Sequence, residues 1–461
     1  MLPIYTRYLT PADYGVVGLL TFALALFEPI FGARLARAIP KFYLEATDEQ
    51  SKRAVIWGAL GLTGAVSVVT VLALVLTRGA GAQLLFGDRK YALVVGLFAV
   101  TLLTQPVEET GMMYVRLQER SRLFLGFSML KLALQVSCNL LLVVYWRGGV
   151  LGVVEGGVFA STVAGLGLTV YVALNERPAF DWRLTRRMLQ FCWPLWLSGI
   201  AGLYIGSSGA MYLRVFGSLA AVGLLELGLK FATVVDMLIW TPFWQHWEPM
   251  SFRYYREEHG RRKFQVAFTV VSALMFTGGL GVSIFAETVI RVMASKSFYA
   301  AAGIVPILTL GFILNSLNAF SSFSFLLTGH TKVHTLCQYA TAAVITIAYF
   351  ALVPSFGLVG AACAQCVAFA ASFVLVRVVA ARYYDPGFNL VPLAAFLLVG
   401  VVAYVCSNVV LGTHAIGIDL LIKSLVLLTA TGLIALIAIR AIRNPDGSLL
   451  EALPWPLNRW G

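Results

Sequence analysis

The chain has 461 residues, of which 59% are hydrophobic and only 12% are charged. Soluble globular proteins carry about 25% charged residues, so this composition excludes an ordinary soluble domain and indicates a membrane protein. The formal net charge of +12 would suit a nucleic-acid partner, but most Lys and Arg residues lie in alternate loops between apolar segments. That alternation is typical of membrane topology, so we expect no nucleic-acid partner.

Thirteen apolar segments are each long enough to cross a hydrocarbon core of about 30 Å. They lie near residues 13–38, 53–77, 91–115, 123–146, 150–174, 188–210, 218–242, 264–286, 303–327, 333–353, 357–381, 391–411 and 418–440. The connecting loops are too short to form a soluble domain. The sequence therefore predicts an all-α, polytopic membrane helix bundle with about thirteen transmembrane helices. Because the basic loops define the cytoplasmic side, we expect the C-terminus in the cytoplasm.

The first apolar segment is repeated later in the chain. The stretch from Arg7 to Leu20 resembles that from Arg214 to Leu227, with Gly15 matched to Gly223 at an offset of 208 residues. At the same offset, Glu28 matches Asp236, and the turn at residues 149–152 matches the turn at 357–360. These anchors predict a parallel repeat of six spans, because an even number of spans preserves orientation.

The repeat divides the chain into two pseudo-symmetric lobes and two C-terminal helices. We expect an N-lobe at residues 1–187, a C-lobe at 188–386, and two extra helices with a cytoplasmic tail at 387–461. The partner of the sixth span would fall ahead of Met1. We therefore expect that the first helix of the first copy is absent from this sequence, with about 20 apolar residues upstream if the gene start is assigned too late.

Four short motifs then carry a family resemblance. They are PIYTRYLTPADYGVVGLL at residues 3–20, AIPKFYLE at 38–45, LLTGHTK at 326–332 and FGLVGAA at 356–362. They resemble the polysaccharide biosynthesis proteins, the oligosaccharide flippases of the Wzx type. Their superfamily also contains multidrug exporters of the MATE type and lipid II flippases.

The resemblance implies a fold of two six-helix lobes around a central cavity, followed by two trailing helices. It implies a flippase in the bacterial inner membrane that moves an undecaprenyl-pyrophosphate-linked oligosaccharide from the cytoplasmic to the outer leaflet by alternating access. The expected partners are this lipid-linked oligosaccharide, the bilayer, and a polysaccharide polymerase with export machinery. The alternative is a MATE-like, cation-coupled exporter of drugs or other small molecules.

Polar groups inside apolar spans are the candidate substrate-binding residues, because a charged side chain at the bilayer centre costs about 2.5–3.5 kcal/mol on insertion scales. The candidates for contacts to phosphate and sugar are Lys230, Lys131, Gln135, Asn139, Asn315, Asn318, Arg34 and Arg37. Each has a plainer explanation: Lys230 one turn after Glu226 can form a helix-stabilising ion pair, Lys131 and the amides can join helices by hydrogen bonds, and the two arginines suit a cytoplasmic helix end.

Acidic groups in spans are the candidates for proton or cation coupling. They are Glu28, Asp236, Glu226, Glu108 and Glu109. Two further interpretations complete the set: Lys423 near a helix end is expected to extend to the membrane surface, and Trp240, Trp244 and Trp247 to form an interfacial belt.

Catalytic and cofactor chemistry find little support in the sequence. The outer loops are too short for a membrane glycosyltransferase or polymerase site, and no phosphate-binding loop of the GxxxxGK[ST] type occurs. The pairs Cys363/Cys366 and His330/His334 have redox or metal-site spacing but lie on apolar or loop segments without further ligands. We expect no enzyme, cofactor or metal site.

Overall fold

The computed structural model of the chain describes residues 2–31, 35–409 and 416–442. These residues form seventeen α-helices and contain no β-strand. The helices are α1 Leu2–Tyr8, α2 Pro11–Phe31, α3 Ile39–Glu45, α4 Glu49–Leu76, α5 Arg78–Phe86, α6 Ala92–Leu117, α7 Ser121–Asn139, α8 Gly149–Asn175, α9 Trp182–Ser207, α10 Gly209–Phe216, α11 Leu219–Val235, α12 Thr241–Tyr254, α13 Gly260–Met293, α14 Val305–Leu327, α15 Thr331–Ala380, α16 Val391–Val409 and α17 Ile416–Ile442. The predicted all-α fold class is confirmed.

Each predicted span corresponds to a helix. Nine helices among the described residues are long and apolar enough to cross a membrane. One of them, α15, contains two predicted spans, because its backbone breaks at Gly357 with φ of 53° and ψ of −123°. The remaining spans correspond to α2, α9 and α11. The sequence did not predict the short helices α1, α3, α5 and α10, or α12 as a separate element.

Contacts divide the chain into two compact units, Met1–Glu226 and Leu227–Gly461. In the first unit, α6 packs against α4 and α8, while α9 contacts α2 and α4. Its core joins residues of α4, α6 and α9, with Tyr114, Ile56 and Met188 fully buried. The predicted three-part division, with boundaries after residues 187 and 386, stays a prediction.

In the second unit, α14 packs against α15, and α13 contacts α14, α16 and α17. The last two helices therefore share the α13 surface of this unit. Its core is strongly aromatic, with Trp247, Phe268 and Phe320 buried among neighbouring rings. The centroid of the Trp247 ring lies 5.9 Å from that of Phe320 and 5.3 Å from that of Phe264.

The start of α2 shows how local sequence sets a helix end. Thr10 precedes α2, and its hydroxyl accepts a hydrogen bond from the Asp13 N–H at 3.2 Å. In return, the Asp13 carboxylate accepts from the Thr10 N–H at 3.1 Å. This reciprocal capping box satisfies two helix N–H groups, and Pro11 at the first helical position has none to satisfy.

Two anchors of the sequence repeat have matching local structure. Gly149 and Gly357, 208 residues apart, both adopt positive φ, at 56° and 53°, a conformation that favours glycine. Gly15 and Gly223 pack directly on each other inside the first unit: a methyl group on Gly15 would collide with the Leu219 carbonyl oxygen, and one on Gly223 with the Pro11 carbonyl oxygen. Since residues 11 and 219 are also 208 apart, the contact between α2 and α11 is reciprocal.

Candidate functional site

The first unit contains an ion pair between two spanning helices. Lys131 on α7 donates to both carboxylate oxygens of Glu108 on α6, at 2.9 Å and 2.7 Å. Glu108 keeps 14% of its side chain exposed and Lys131 keeps 28%. A pair with this little water around it interacts more strongly than a surface pair.

Local sequence places this pair well inside both helices. Lys131 lies ten residues after the start of α7, about 15 Å along its axis. On α6, the buried Pro106 precedes Glu108 by two residues and removes one N–H from the helix ladder. The sequence predicted a binding role for Lys131 and a coupling role for Glu108; the structure brings the two groups together.

The rest of the predicted polar face of α7 divides into two parts. Gln135, one turn after Lys131, is half-buried. Asn139 is fully buried and donates to the Tyr5 hydroxyl at 2.7 Å. Its carbonyl oxygen lies over Gly156 of α8, where a methyl group would approach it to 2.7 Å. Asn139 therefore occupies a helix–helix contact, which was the plainer of its two interpretations.

Glu226 and Lys230 lie one turn apart on α11. The Glu226 side chain packs over Gly18 of α2, where a methyl group would collide with it. Lys230 is exposed. The absence of a side chain at Gly18 thus gives Glu226 its place in the first unit.

Asp236 lies where α11 passes into a π-helical segment, Asp236–Trp240. Its carboxylate accepts a hydrogen bond of 2.5 Å from the Ser316 hydroxyl on α14. Short π segments within helices are frequent at functional sites, so Asp236 remains a candidate for ion coupling.

For four further predicted residues the structure gives at most a position and a degree of exposure. Arg37 ends a short 3₁₀ segment and is exposed, and Glu109 is half-buried beside Glu108. Arg34 lies outside the described residues. Glu28 belongs to α2, but its side chain is outside the described part of the structure.

The second unit contains a polar cavity of about 340 Å³ between α12, α14 and α15. Asn315 and Asn318, both predicted from sequence, line it. The other polar lining residues are Glu248, Ser322, His334 and Gln338, and Trp244 contributes an aromatic wall. The volume lies in the range of about 300–1,000 Å³ that is typical of small-molecule sites.

Hydrogen bonds fix part of this lining and leave part available. The Asn318 amide N–H donates to the Ser372 hydroxyl at 3.0 Å, while its buried carbonyl oxygen has no hydrogen-bond partner among the described residues. The Gln338 amide nitrogen and the His334 Nε2 lie 3.3 Å apart. A buried amide with one open acceptor can bind a hydroxyl or N–H group of a ligand.

Comparison with known proteins decides the family. The profile of the polysaccharide biosynthesis protein family matches residues 1–255, more than half of the chain. The chain belongs to this family. No curated protein matches the chain in sequence.

The fold of this family member is similar to two solved transporters. A structure of the lipid II flippase MurJ in an inward closed conformation superposes with a TM-score of 0.75 at 11% identity, covering 94% of both chains. An inward-facing MATE family multidrug resistance transporter of the MOP superfamily gives 0.64 at 15% identity, covering 83% of this chain and 93% of that one. At these identities the likeness shows only that the chain shares the fold of these two transporters.

Sequence reasoning missed the aromatic and acidic parts of the cavity. Trp244 and Glu248 are four residues apart on α12, as are His334 and Gln338 on α15, so each pair shares a helix face. This four-residue spacing was the signal in the sequence that could have identified these lining residues. The interfacial belt is wrong for Trp240 and Trp247, which are 8% and 2% exposed, because both pack into the aromatic core.

The expectation for Lys423 is also wrong. Its side chain is only 3% exposed, and its ammonium donates to the Thr288 hydroxyl on α13 at 2.8 Å. It also pairs with Asp419, one turn earlier on α17, at 3.1 Å. Partners on two helices hold Lys423 inside the second unit, so it does not extend to the membrane surface.

Proposed function

We propose that this protein is a flippase that moves a polyprenyl-diphosphate-linked oligosaccharide, with undecaprenyl as the lipid, from the cytoplasmic to the outer leaflet by alternating access. Family membership supports a role in polysaccharide biosynthesis. The observation that carries the anionic substrate is the pair Lys131–Glu108 between two spanning helices. The Lys131 side chain is 28% exposed, so part of it stays accessible beside Glu108.

In this proposal Lys131 exchanges one anion for another. Without substrate, Glu108 neutralises it at 2.7 Å and 2.9 Å. A diphosphate offers more negative charge and more acceptor oxygens than one carboxylate, so it can displace Glu108 from the ammonium. Glu108, displaced from the ammonium, is the candidate for ion coupling on α6. Gln135, one turn away, supplies an amide donor to the same ligand.

The membrane potential assists the proposed direction. Moving one elementary charge across 100 mV is worth about 2.3 kcal/mol, and an anion moves outward favourably when the cytoplasm is negative. The expected setting is the bacterial inner membrane, with the C-terminus in the cytoplasm, and a polymerase outside would consume the product. Lys230 and Arg37 are further candidates for contacts along the route, and Asp236 for coupling.

The rival function is MATE-like, cation-coupled export of drugs or other small molecules. One observation favours it, the carboxylate of Glu248 in an aromatic-walled cavity. A drug exporter, however, favours an apolar, acid-lined pocket over cationic groups such as Lys131.

Replacement of Lys131 tests the proposal in cells that depend on this protein for a surface polysaccharide. Lys131→Gln should lower surface polysaccharide at least about tenfold and should accumulate the lipid-linked precursor, because the diphosphate loses its cationic partner. Lys131→Arg, which keeps the charge, should retain most of the activity. Normal polysaccharide in Lys131→Gln cells at normal protein level would refute the anionic-site proposal.

A further inference from the structure

We propose that the cavity between α12, α14 and α15 binds one uncharged sugar ring. The inference rests on the proposed function, since it assigns a recognition site to the oligosaccharide part of that substrate. It concerns the second unit alone and is independent of Lys131.

The aromatic wall has the rigidity that stacking on a sugar ring requires. Trp244 stacks on Trp240 with a centroid distance of 5.0 Å and an angle of 23° between the planes. Its edge contacts with Phe320 and Phe323 have centroid distances of 6.0 Å and 5.8 Å. Three rings therefore fix the orientation of Trp244 before a ligand arrives, which reduces the entropy lost on binding. The apolar C–H face of a pyranose packs well on such an indole.

The polar wall offers donors and acceptors in the mixture that sugar hydroxyls need. Asn315 and Ser322 lie two helical turns apart on one face of α14, with Asn318 between them. Asn315 is exposed, and the buried carbonyl oxygen of Asn318 lacks a hydrogen-bond partner in the described part of the chain. Asn318 is only 4% exposed, so its open acceptor gains most from a ligand donor.

The charge of the lining selects against the diphosphate. No Lys or Arg is among the described residues that line the cavity, and its single carboxylate, Glu248, would repel an anion. A carboxylate accepts two hydrogen bonds from neighbouring hydroxyls, which is a frequent way of holding a sugar. Glu248 thus favours a neutral ring that carries hydroxyl or acetamido groups.

A binding titration tests the site on the purified full-length chain in lipid nanodiscs. The probes are glucose, galactose, mannose and N-acetylglucosamine, followed through tryptophan fluorescence, with tetraphenylphosphonium as an organic-cation probe. At least one sugar should bind saturably to the wild-type chain. Asn315→Ala combined with Gln338→Ala should weaken that binding at least about tenfold.

The matched control is Gln245→Ala. Gln245 follows Trp244 on α12 and is exposed, but it is not part of the cavity lining, so its loss should leave sugar binding unchanged. Trp244→Phe should weaken binding and reduce the fluorescence change. Asn315 is exposed, so its replacement by alanine should not disturb folding even if the Trp244 variant is destabilised.

Three outcomes would overturn the inference: no sugar binds, sugar binding is unaffected by the double substitution, or tetraphenylphosphonium binds in the cavity and the sugars do not. The flippase proposal fails separately. If Lys131→Gln cells make normal polysaccharide while the purified chain binds a sugar through Asn315 and Gln338, the sugar site stands and the anionic route does not. If no sugar binds but Lys131→Gln cells accumulate precursor, the anionic route stands and the sugar site does not.

Discussion

The two candidate sites of this protein differ in the chemistry they offer. In the first unit, Lys131 and Glu108 place opposite charges 2.7 Å apart between α6 and α7. In the second unit, the cavity combines Trp244 with amides, His334 and one carboxylate, and its described lining has no Lys or Arg. A substrate with a charged diphosphate and uncharged sugars needs both kinds of site. We therefore propose that the two units bind different parts of one substrate.

The largest expected effect is a change in diphosphate affinity, which distinguishes a ligand-binding role of Lys131 from a structural role. Glu108→Gln removes the competing carboxylate, so farnesyl diphosphate should bind about tenfold more tightly, while Lys131→Gln should weaken the same binding about tenfold. Both variants should lower the free energy of unfolding by about 1.5–3 kcal/mol, because each removes a charge-assisted hydrogen bond. Calorimetric titration and thermal unfolding measure the two quantities. Equal losses of diphosphate binding in both variants would mean that the pair only joins helices.

A smaller effect on transport is expected from the cavity. The double substitution Asn315→Ala and Gln338→Ala should reduce surface polysaccharide several-fold, because lost hydrogen bonds of about 0.5–1.5 kcal/mol each weaken sugar recognition. Diphosphate binding should stay at the wild-type level in the same protein. Gln245→Ala provides the control, and a loss of farnesyl diphosphate binding in the double variant would show that the two sites are not separate.

A substitution that disrupts the contact between α2 and α11 should mainly lower the stability of the protein. Gly223→Ala places a methyl group against the Pro11 carbonyl oxygen, and such overpacking costs about 1–3 kcal/mol. Gly61→Ala is the matched control, because Gly61 lies in α4 with no atom within 4 Å of the added methyl group. Thermal unfolding in detergent should show a lower midpoint for Gly223→Ala alone, and an equal midpoint in both variants would contradict the close crossing.

The smallest effect is expected from the hydrogen bond between the buried Lys423 and Thr288 in the second unit. Thr288→Val removes the hydroxyl that accepts from Lys423 and should lower the free energy of unfolding by about 1 kcal/mol. Both transport and sugar binding should remain normal, because we assign this pair a structural role. A transport defect at normal protein level would instead place Lys423 in the substrate route and weaken the contrast with Lys131.

The sequence predicted the fold well because bilayer thickness imposes a clear length and polarity on each span. The repeat at 208 residues was similarly informative, since Gly149 and Gly357 share positive φ and Gly15 packs on Gly223. A positive φ and a close backbone contact both favour glycine, so these two features could be predicted from the sequence.

Side-chain partners were much harder to predict. The sequence marked Lys131 and Glu108 separately, but nothing in their spacing on different helices showed that they meet. Asn139 and Lys423 were misjudged or left open for the same reason, because contacts with Tyr5 and Thr288 depend on packing between helices. The cavity was half predicted: Asn315 and Asn318 stood out as polar residues in a span, whereas Trp244 resembled any interfacial tryptophan.

The most direct test of separate diphosphate and sugar sites is a crossed binding experiment on the full-length chain in nanodiscs. Farnesyl diphosphate and the best-bound monosaccharide would be titrated into Lys131→Gln and into the Asn315→Ala, Gln338→Ala double variant. We predict that Lys131→Gln loses diphosphate affinity about tenfold and keeps sugar affinity, and that the double variant shows the opposite pattern. Loss of both ligands in either variant, or of neither in both, would contradict the account.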